Sequence, residues 1–156
     1  MKVVGLLPST NLVQVVLVDG DSASFTVPFR EEWKLADESR LDDYVEIRKR
    51  VVERMNQWEP DIVCIVQLEG LALSKARPTM SWFKTAELRG VLAEASRSAG
   101  VETEFRTEAI VTASLGSKKA AEYRADDLFW NTNVGADFLK KYRQVVLVAF
   151  SRIRQG

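Results

Sequence analysis

The side chains available for chemistry narrow the field first. Histidine is absent, so neither an imidazole-activated serine or cysteine nucleophile nor a histidine-ligated zinc can be assembled. The glycine patterns that cradle phosphates, Gly-x-Gly-x-x-Gly and the P-loop, are absent too. Carboxylates, lysines and hydroxyls are left. One segment, residues 75–84, interleaves Lys75, Arg77 and Lys84 with Trp82 and Phe83, a combination that pairs phosphates while stacking on bases. A plainer reading has Trp82 and Phe83 stapling a helix start into the core beside solvated cations. Ser117-Lys118-Lys119 opens a further helix, where amides and lysines can hold a phosphate or simply be solvated. Lys140, Lys141, Arg143, Arg152 and Arg154 add positive charge towards the end of the chain, for which solubility is a sufficient reason.

Around these residues the chain reads as one domain spanning 1–156. It is 46% hydrophobic and 28% charged over 156 residues, enough to bury a substantial core. Its 22 basic and 22 acidic residues cancel, so any attraction to nucleic acid must come from a local patch. The single cysteine, Cys64, lies in the apolar run 61–66. It excludes an internal disulfide and reads as a small buried hydrophobe. No run of about 18 apolar residues is present, and residues 1–5 turn polar too soon for a signal peptide. A cytoplasmic location with no membrane partner is expected.

Residues 3–7 and 12–18 read as two strands separated by the break Pro8-Ser9-Thr10-Asn11. Asp19-Gly20 signals a tight turn. The alternation of Ala23, Phe25, Val27 and Phe29 predicts a third strand, followed by a charged connection from Arg30 to Arg40. Tyr44, Ile47, Val51, Met55 and Trp58 form a helical stripe, which Glu59-Pro60 ends. The short apolar run 61–66 predicts a central strand parallel to the first. A helix follows over 81–99, with Leu88, Val91, Leu92 and Ala95 inward and Gly100 as its stop. Val101, Thr103 and Phe105 alternate with Glu102, Glu104 and Arg106 as a fifth strand. Helices over 107–115, from beyond Gly116-Ser117 to about Trp130, and from Asp137 to about Arg154 complete the chain, with Asp137 as the N-cap of the last. Asp126-Asp127 reads as a solvated helical face.

The order of elements, and a collinear set of short motifs, resemble the ribonuclease H-like superfamily and within it the RuvC-type resolvases. Val4-Gly5-Leu6-Leu7-Pro8-Ser9 resembles their first-strand Ile-Gly-Ile-Asp-Pro-Gly, and Cys64-Ile65-Val66-Gln67 their Ala-Ile-Glu-Gln. Leu88-Arg89-Gly90-Val91 resembles the Ala-Arg-Gly-Val of their dimer helix. Residues 110–120 resemble their Val-Gly-x-Gly-x-x-x-Lys segment. The resemblance implies an α/β fold with a mixed five-stranded sheet, three antiparallel strands then parallel ones, flanked by helices. It also implies a possible homodimer through residues 81–99.

In that family two divalent ions held by carboxylates cleave phosphodiesters. Here the resemblance puts Leu7 at the first-strand aspartate and Val66 at the fourth-strand glutamate. Lys141 and Gln144 stand where the last helix carries acids. An ammonium group repels the metals such a site exists to hold. Glu69 sits at an odd offset from Val66, on the other strand face unless the strand ends by residue 67, and Asp137 serves only in a shifted register. The expectation is therefore a catalytically inactive module, with no cofactor, that binds branched or single-stranded nucleic acid through Lys75, Arg77, Trp82, Lys84, Lys118 and Lys119, or binds a protein partner in a DNA-processing or defence assembly. The competing expectation is a magnesium- or manganese-dependent nuclease with ligands relocated to Glu69 and Asp137.

Overall fold

The computed structural model describes residues 1–36, 39–67 and 79–156. Its sheet runs in the order β3-β2-β1-β4-β5, built from β1 (Lys2–Pro8), β2 (Leu12–Gly20), β3 (Phe25–Lys34), β4 (Ile62–Val66) and β5 (Glu102–Arg106). The first three strands pair antiparallel. As expected, β4 is parallel to β1, and β5 is parallel to β4. The central strands are apolar almost without interruption because helices cover both their faces.

On one face lie α1 (Arg40–Trp58) and α2 (Met80–Ser98). Ser39 caps α1 through the Asp42 amide, Asp42 and Asp43 complement the dipole of its first turn, and Glu59 ends it in the left-handed region at φ 48°. Its buried stripe is Ile47, Val51, Met55 and Trp58, which packs with Leu88, Leu92 and Ala95 of α2 onto Val4, Leu6, Val63 and Ile65. Val91 is half-buried, and Ser96 completes the inward face of α2.

The opposite face carries α3 (Glu108–Leu115), α4 (Ala120–Ala125), α5 (Asp127–Asn133) and, after a 3-10 turn at Lys140–Tyr142, α6 (Arg143–Ile153). Nearly every residue of α6 is buried. It lies between the sheet and the shorter helices, and so is apolar around most of its circumference. Its approach to β1 is set by Gly5, where a Cβ would stand 2.7 Å from the Val145 carbonyl oxygen and 3.0 Å from methyls of Val145 and Val16.

Four expectations need correction. β3 continues through the segment read as a charged connection, because its pairing with β2 skips a residue: Thr26 faces Asp19, but Phe29 faces Leu17. The extra residue is a bulge at Val27-Pro28, admissible for proline on an edge strand. The bulge exchanges faces, so Phe25 packs on Phe150 of α6, whereas Phe29 stacks on Trp58 of α1. Trp33 is then buried beside α1. β5 inverts the anticipated burial: Phe105 is 44% exposed and Arg106 only 2%, since Arg106 is enclosed by bonds to Glu104, to Ser114 of α3 and to Gln155, whereas Phe105, on the α2 face of this edge strand, is met by the Arg89 guanidinium and stays partly open.

The helix expected to run to Trp130 is broken at Asp126, which caps α5 by accepting from the Phe129 amide. Asp126 and Asp127 are thus not merely solvated; they pair with Lys118 and Arg143 at 2.7 and 2.6 Å. Finally, α6 starts at Arg143, and Asp137 is an exposed turn residue rather than a cap. Phe138 and Tyr142 bury themselves in the turn before the helix and delay its start.

Because Gly5 abuts a helix backbone that cannot rotate aside, Gly5→Ala should destabilise the fold by about 1–3 kcal/mol, overpacking outweighing the gain of about 0.5–1 kcal/mol from replacing a strand glycine. The urea midpoint should fall with the slope unchanged; an unaltered midpoint would show that α6 has room to shift.

Candidate functional site

At the carboxyl ends of β1 and β4 the pairing aligns one row of residues on the face towards α6. Leu7 faces Gln14, and Gln14 faces Glu32. The parallel register that matches Leu6 with Ile65 brings Leu7 level with Val66, and Val66 faces Arg106. Across the sheet the row therefore reads Glu32, Gln14, Leu7, Val66, Arg106. Its centre is aliphatic, with a carboxylate at one end and a guanidinium at the other.

Both ends are occupied by local partners. Gln14 donates to Glu32 at 3.3 Å, and Lys141 pairs with Glu32 at 2.9 Å. The Lys141 hydrogen bond, with that of Gln14, holds the Glu32 carboxyl below the usual carboxylate range, and the same pair raises the Lys141 ammonium. Lys141 thus leaves the centre of the row and belongs to the 3-10 turn, not to the last helix. At the far end Arg106 donates to Glu104, to Ser114 Oγ at 2.8 Å and to Gln155 Oε1 at 2.8 Å. Glu104 also lies 3.7 Å from Arg152 and accepts from the Cys64 thiol at 3.5 Å. Burial pushes that thiol upward, in keeping with an inert core cysteine.

Beyond Val66 and Arg106 opens a cavity of about 870 Å³, bounded by the start of α2, the ends of β4 and β5, and α3, α4 and α6. Thr107 caps α3 through the Ile110 amide, and Gly116, at φ 82°, ends it. The Ala120 amide donates to Thr112 Oγ1 at 3.1 Å, and Arg124 pairs with Glu108 at 3.3 Å, fixing α4 against α3. Four residues singled out in the sequence meet at this cavity: Val66, Trp82, Lys119 and Gln144. Arg106, Glu108 and Arg124 join them and were missed. Period-two alternation concealed Arg106 by assigning it to a polar face; its place at the end of a strand parallel to β4 was the available signal.

The remaining candidates lie elsewhere. Lys75, Arg77 and Glu69 fall outside the described residues. Lys118 is bound to Asp126, each strengthening the charged form of the other. Lys84 is half-buried, and its carbonyl accepts from Arg40. Trp82 and Phe83 do not staple the start of α2 into the core: they are 36% and 48% exposed and meet edge to face at 5.3 Å, with Met80 exposed beside them. The helix start is held instead by the Thr79 cap and a Thr10–Ser81 hydroxyl contact. Among the described residues no three His, Cys, Asp or Glu side chains gather closely enough to hold a metal ion, and no helix is long and apolar enough to cross a membrane.

No model of a known protein family matches this chain, and no curated protein matches its sequence. Solved structures do match its backbone. RuvC of Thermus thermophilus in complex with a Holliday junction substrate superposes with a TM-score of 0.79 at 18% identity, covering 97% of this chain and 92% of that one. A second structure of the Thermus thermophilus protein gives 0.78 at 17% identity, covering 99% and 94%. The fowlpox virus resolvase with Holliday junction DNA gives 0.58 at 10% identity, covering 99% of each chain. Together with the mixed sheet and its helical layers, this agreement establishes that the chain has the ribonuclease H-like fold in its RuvC-like form.

Proposed function

We propose that the chain is a nucleic-acid-binding module of RuvC-like fold that holds branched or single-stranded nucleic acid without cleaving it. The observation that carries this reading is the row Glu32, Gln14, Leu7, Val66, Arg106. Two-metal phosphodiester cleavage needs hard oxygen ligands at its centre. Here the two central positions are aliphatic, and the flank nearest the cavity is a buried guanidinium. A divalent ion placed there would meet hydrocarbon and positive charge. Gln144, from the first turn of α6, offers only a neutral amide. Glu32, the one acid of the row, is already neutralised by Lys141.

Binding has support of its own. The Thermus thermophilus and fowlpox virus structures contain Holliday junctions. In this chain Trp82 and Phe83 offer exposed rings beside a cavity lined by Lys119 and Arg124, the pairing of stacking surface and cation that single strands use. Lys75 and Arg77 precede them in sequence. Met80 and Phe83, exposed at the start of α2, also give the helix of the implied homodimer an apolar face. A protein partner is the second reading, favoured by the neutral charge balance.

Titration with manganese should show no bound ion, and incubation of four-way DNA junctions with the protein and either magnesium or manganese should leave them intact. Two bound ions with junction cleavage would overturn the reading and direct attention to Glu32, Glu69, Glu108 and Asp137 as ligands.

Binding to branched or single-stranded DNA should depend on salt, a site with about three phosphate contacts losing roughly 40-fold in affinity between about 50 and 200 mM. Trp82→Ala should cost about 1–3 kcal/mol of affinity through lost stacking. Lys119→Glu should weaken binding more than Lys118→Glu, because Lys118 is committed to Asp126. Affinity indifferent to salt and to all three substitutions would favour the protein-partner reading.

A further inference from the structure

Trp82 and Phe83 project from the first turn of α2 and are 36% and 48% exposed, so their aim is set by whatever holds that turn. Arg40, the first residue of α1, ties the β1–β2 connection, α1 and α2 together. Its side chain is 19% exposed. Nη1 donates to the Thr10 carbonyl at 2.9 Å and to Asn11 Oδ1 at 3.1 Å, between β1 and β2. Nη2 donates to the Lys84 carbonyl, in the second turn of α2, at 2.8 Å. Nε donates at 2.6 Å to the Tyr44 hydroxyl, which in turn donates to Glu87 of α2 at 2.5 Å. Burial, with the hydrogen bond to Glu87, pushes the Tyr44 hydroxyl above its ordinary value, so it keeps that proton at neutral pH. Beside this hub Thr10 and Ser81 share a hydroxyl contact.

The arrangement uses the geometry of a guanidinium. Its planar fork of N–H donors meets acceptors on divergent bearings, whereas an ammonium is a point donor on a flexible stem. Arg48, two turns further along α1, provides the contrast. It pairs with Glu94 at 2.9 and 3.1 Å and with Ser98 at 3.2 Å, all on α2. That bridge joins two helices about three turns from Phe83. Arg40 also fastens the helix that bears the two rings to the connection leaving β1, and so refers those rings to the carboxyl ends of the strands, where the aliphatic row and the cavity lie.

We propose that Arg40 is a positioning residue, setting Trp82 and Phe83 for stacking on bases by holding the first two turns of α2 against α1 and the β1–β2 connection. The proposal rests on the reading of that aromatic pair as a nucleic-acid surface.

The test uses the full chain in EDTA, a labelled oligothymidylate for affinity, and acrylamide quenching of tryptophan emission. Of the four tryptophans, Trp33, Trp58 and Trp130 are 3%, 5% and 0% exposed, so the quenchable component belongs to Trp82 and should vanish in Trp82→Ala. Arg40→Lys keeps the charge, and with it the salt slope, but loses the fork. It should raise the quenching constant of Trp82 and weaken binding by about fivefold or more, the lower end of the loss expected of a missing base stack. In a Trp82→Ala/Phe83→Ala background it should change affinity by less than about twofold, because it acts through those rings. Arg48→Lys should leave both readouts as they are. Tyr44→Phe, which breaks the link from Arg40 to Glu87, should move both in the same direction as Arg40→Lys, and it decides the matter if Arg40→Lys loses its cooperative thermal transition. Unchanged quenching and affinity, an equal loss from Arg48→Lys, or a loss that persists without the two rings overturns the proposal. If the wild-type chain binds no oligothymidylate, or binds it as well without the rings, the functional reading falls instead. The quenching constant then decides alone, a raised value sustaining the role of Arg40 and an unaltered one overturning it.

Discussion

The fold turns on one close contact, the seating of α6 against β1 where Gly5 has no side chain. With α6 drawn down to the sheet, its outer side is free to receive α3, α4 and α5, and Val145 to Phe150 are enclosed between two layers. Arg143 fastens the arrangement at its amino end: it is bonded to Asp127 and to the Arg124 carbonyl and lies over the Trp130 ring. The same contact carries Gln144, Leu147 and Val148 to the wall of the cavity. Packing at a strand centre and the geometry of the cavity wall less than a turn away therefore share one cause.

Electrostatics at the carboxyl ends of the strands is organised by pairing rather than by a concentration of acids. Glu32 with Lys141, Glu104 with Arg106 and Arg152, and Glu108 with Arg124 each match an acid to at least one cation. The neutral total of the chain conceals an uneven distribution, since Arg106, Lys119 and Arg124 line one concavity with Glu108 as the one acid among its described lining residues. Such a surface favours an anion that arrives with an apolar body over a bare cation.

The sheet was legible because its central strands are buried on both faces and its first crossover helix carries an unbroken stripe from Tyr44 to Trp58. The bulge at Pro28 was not, since alternation over residues 23–29 looks complete until the register with β2 is known. Arg106 and Phe105 misled for a related reason: period-two reading assumes that a strand's apolar face is the covered one, and on this edge strand a buried arginine takes the covered face instead. The start of α6 was hidden by Phe138 and Tyr142, whose apolar character continues the helical pattern into a turn. Leu7, Val66, Trp82, Lys119 and Gln144 could be named singly, but their relation depends on strand pairing and on the meeting of α3 with the end of β5. That is tertiary information, and no local pattern carries it.

The two outer strands of the sheet bear on how this molecule meets others. β3 presents a proline bulge followed by Arg30, Glu31, Glu32 and Lys34, and β5 is short and carries Glu102, Glu104 and Arg106. Open strand edges invite another chain to zip on by backbone hydrogen bonds, and charge, brevity and a bulge each obstruct it. Neither border of this sheet is suited to such annexation, by a second copy or by an extended peptide. What these borders withhold is the backbone template from which ordered aggregates grow, so that contact with another molecule falls to side-chain surfaces.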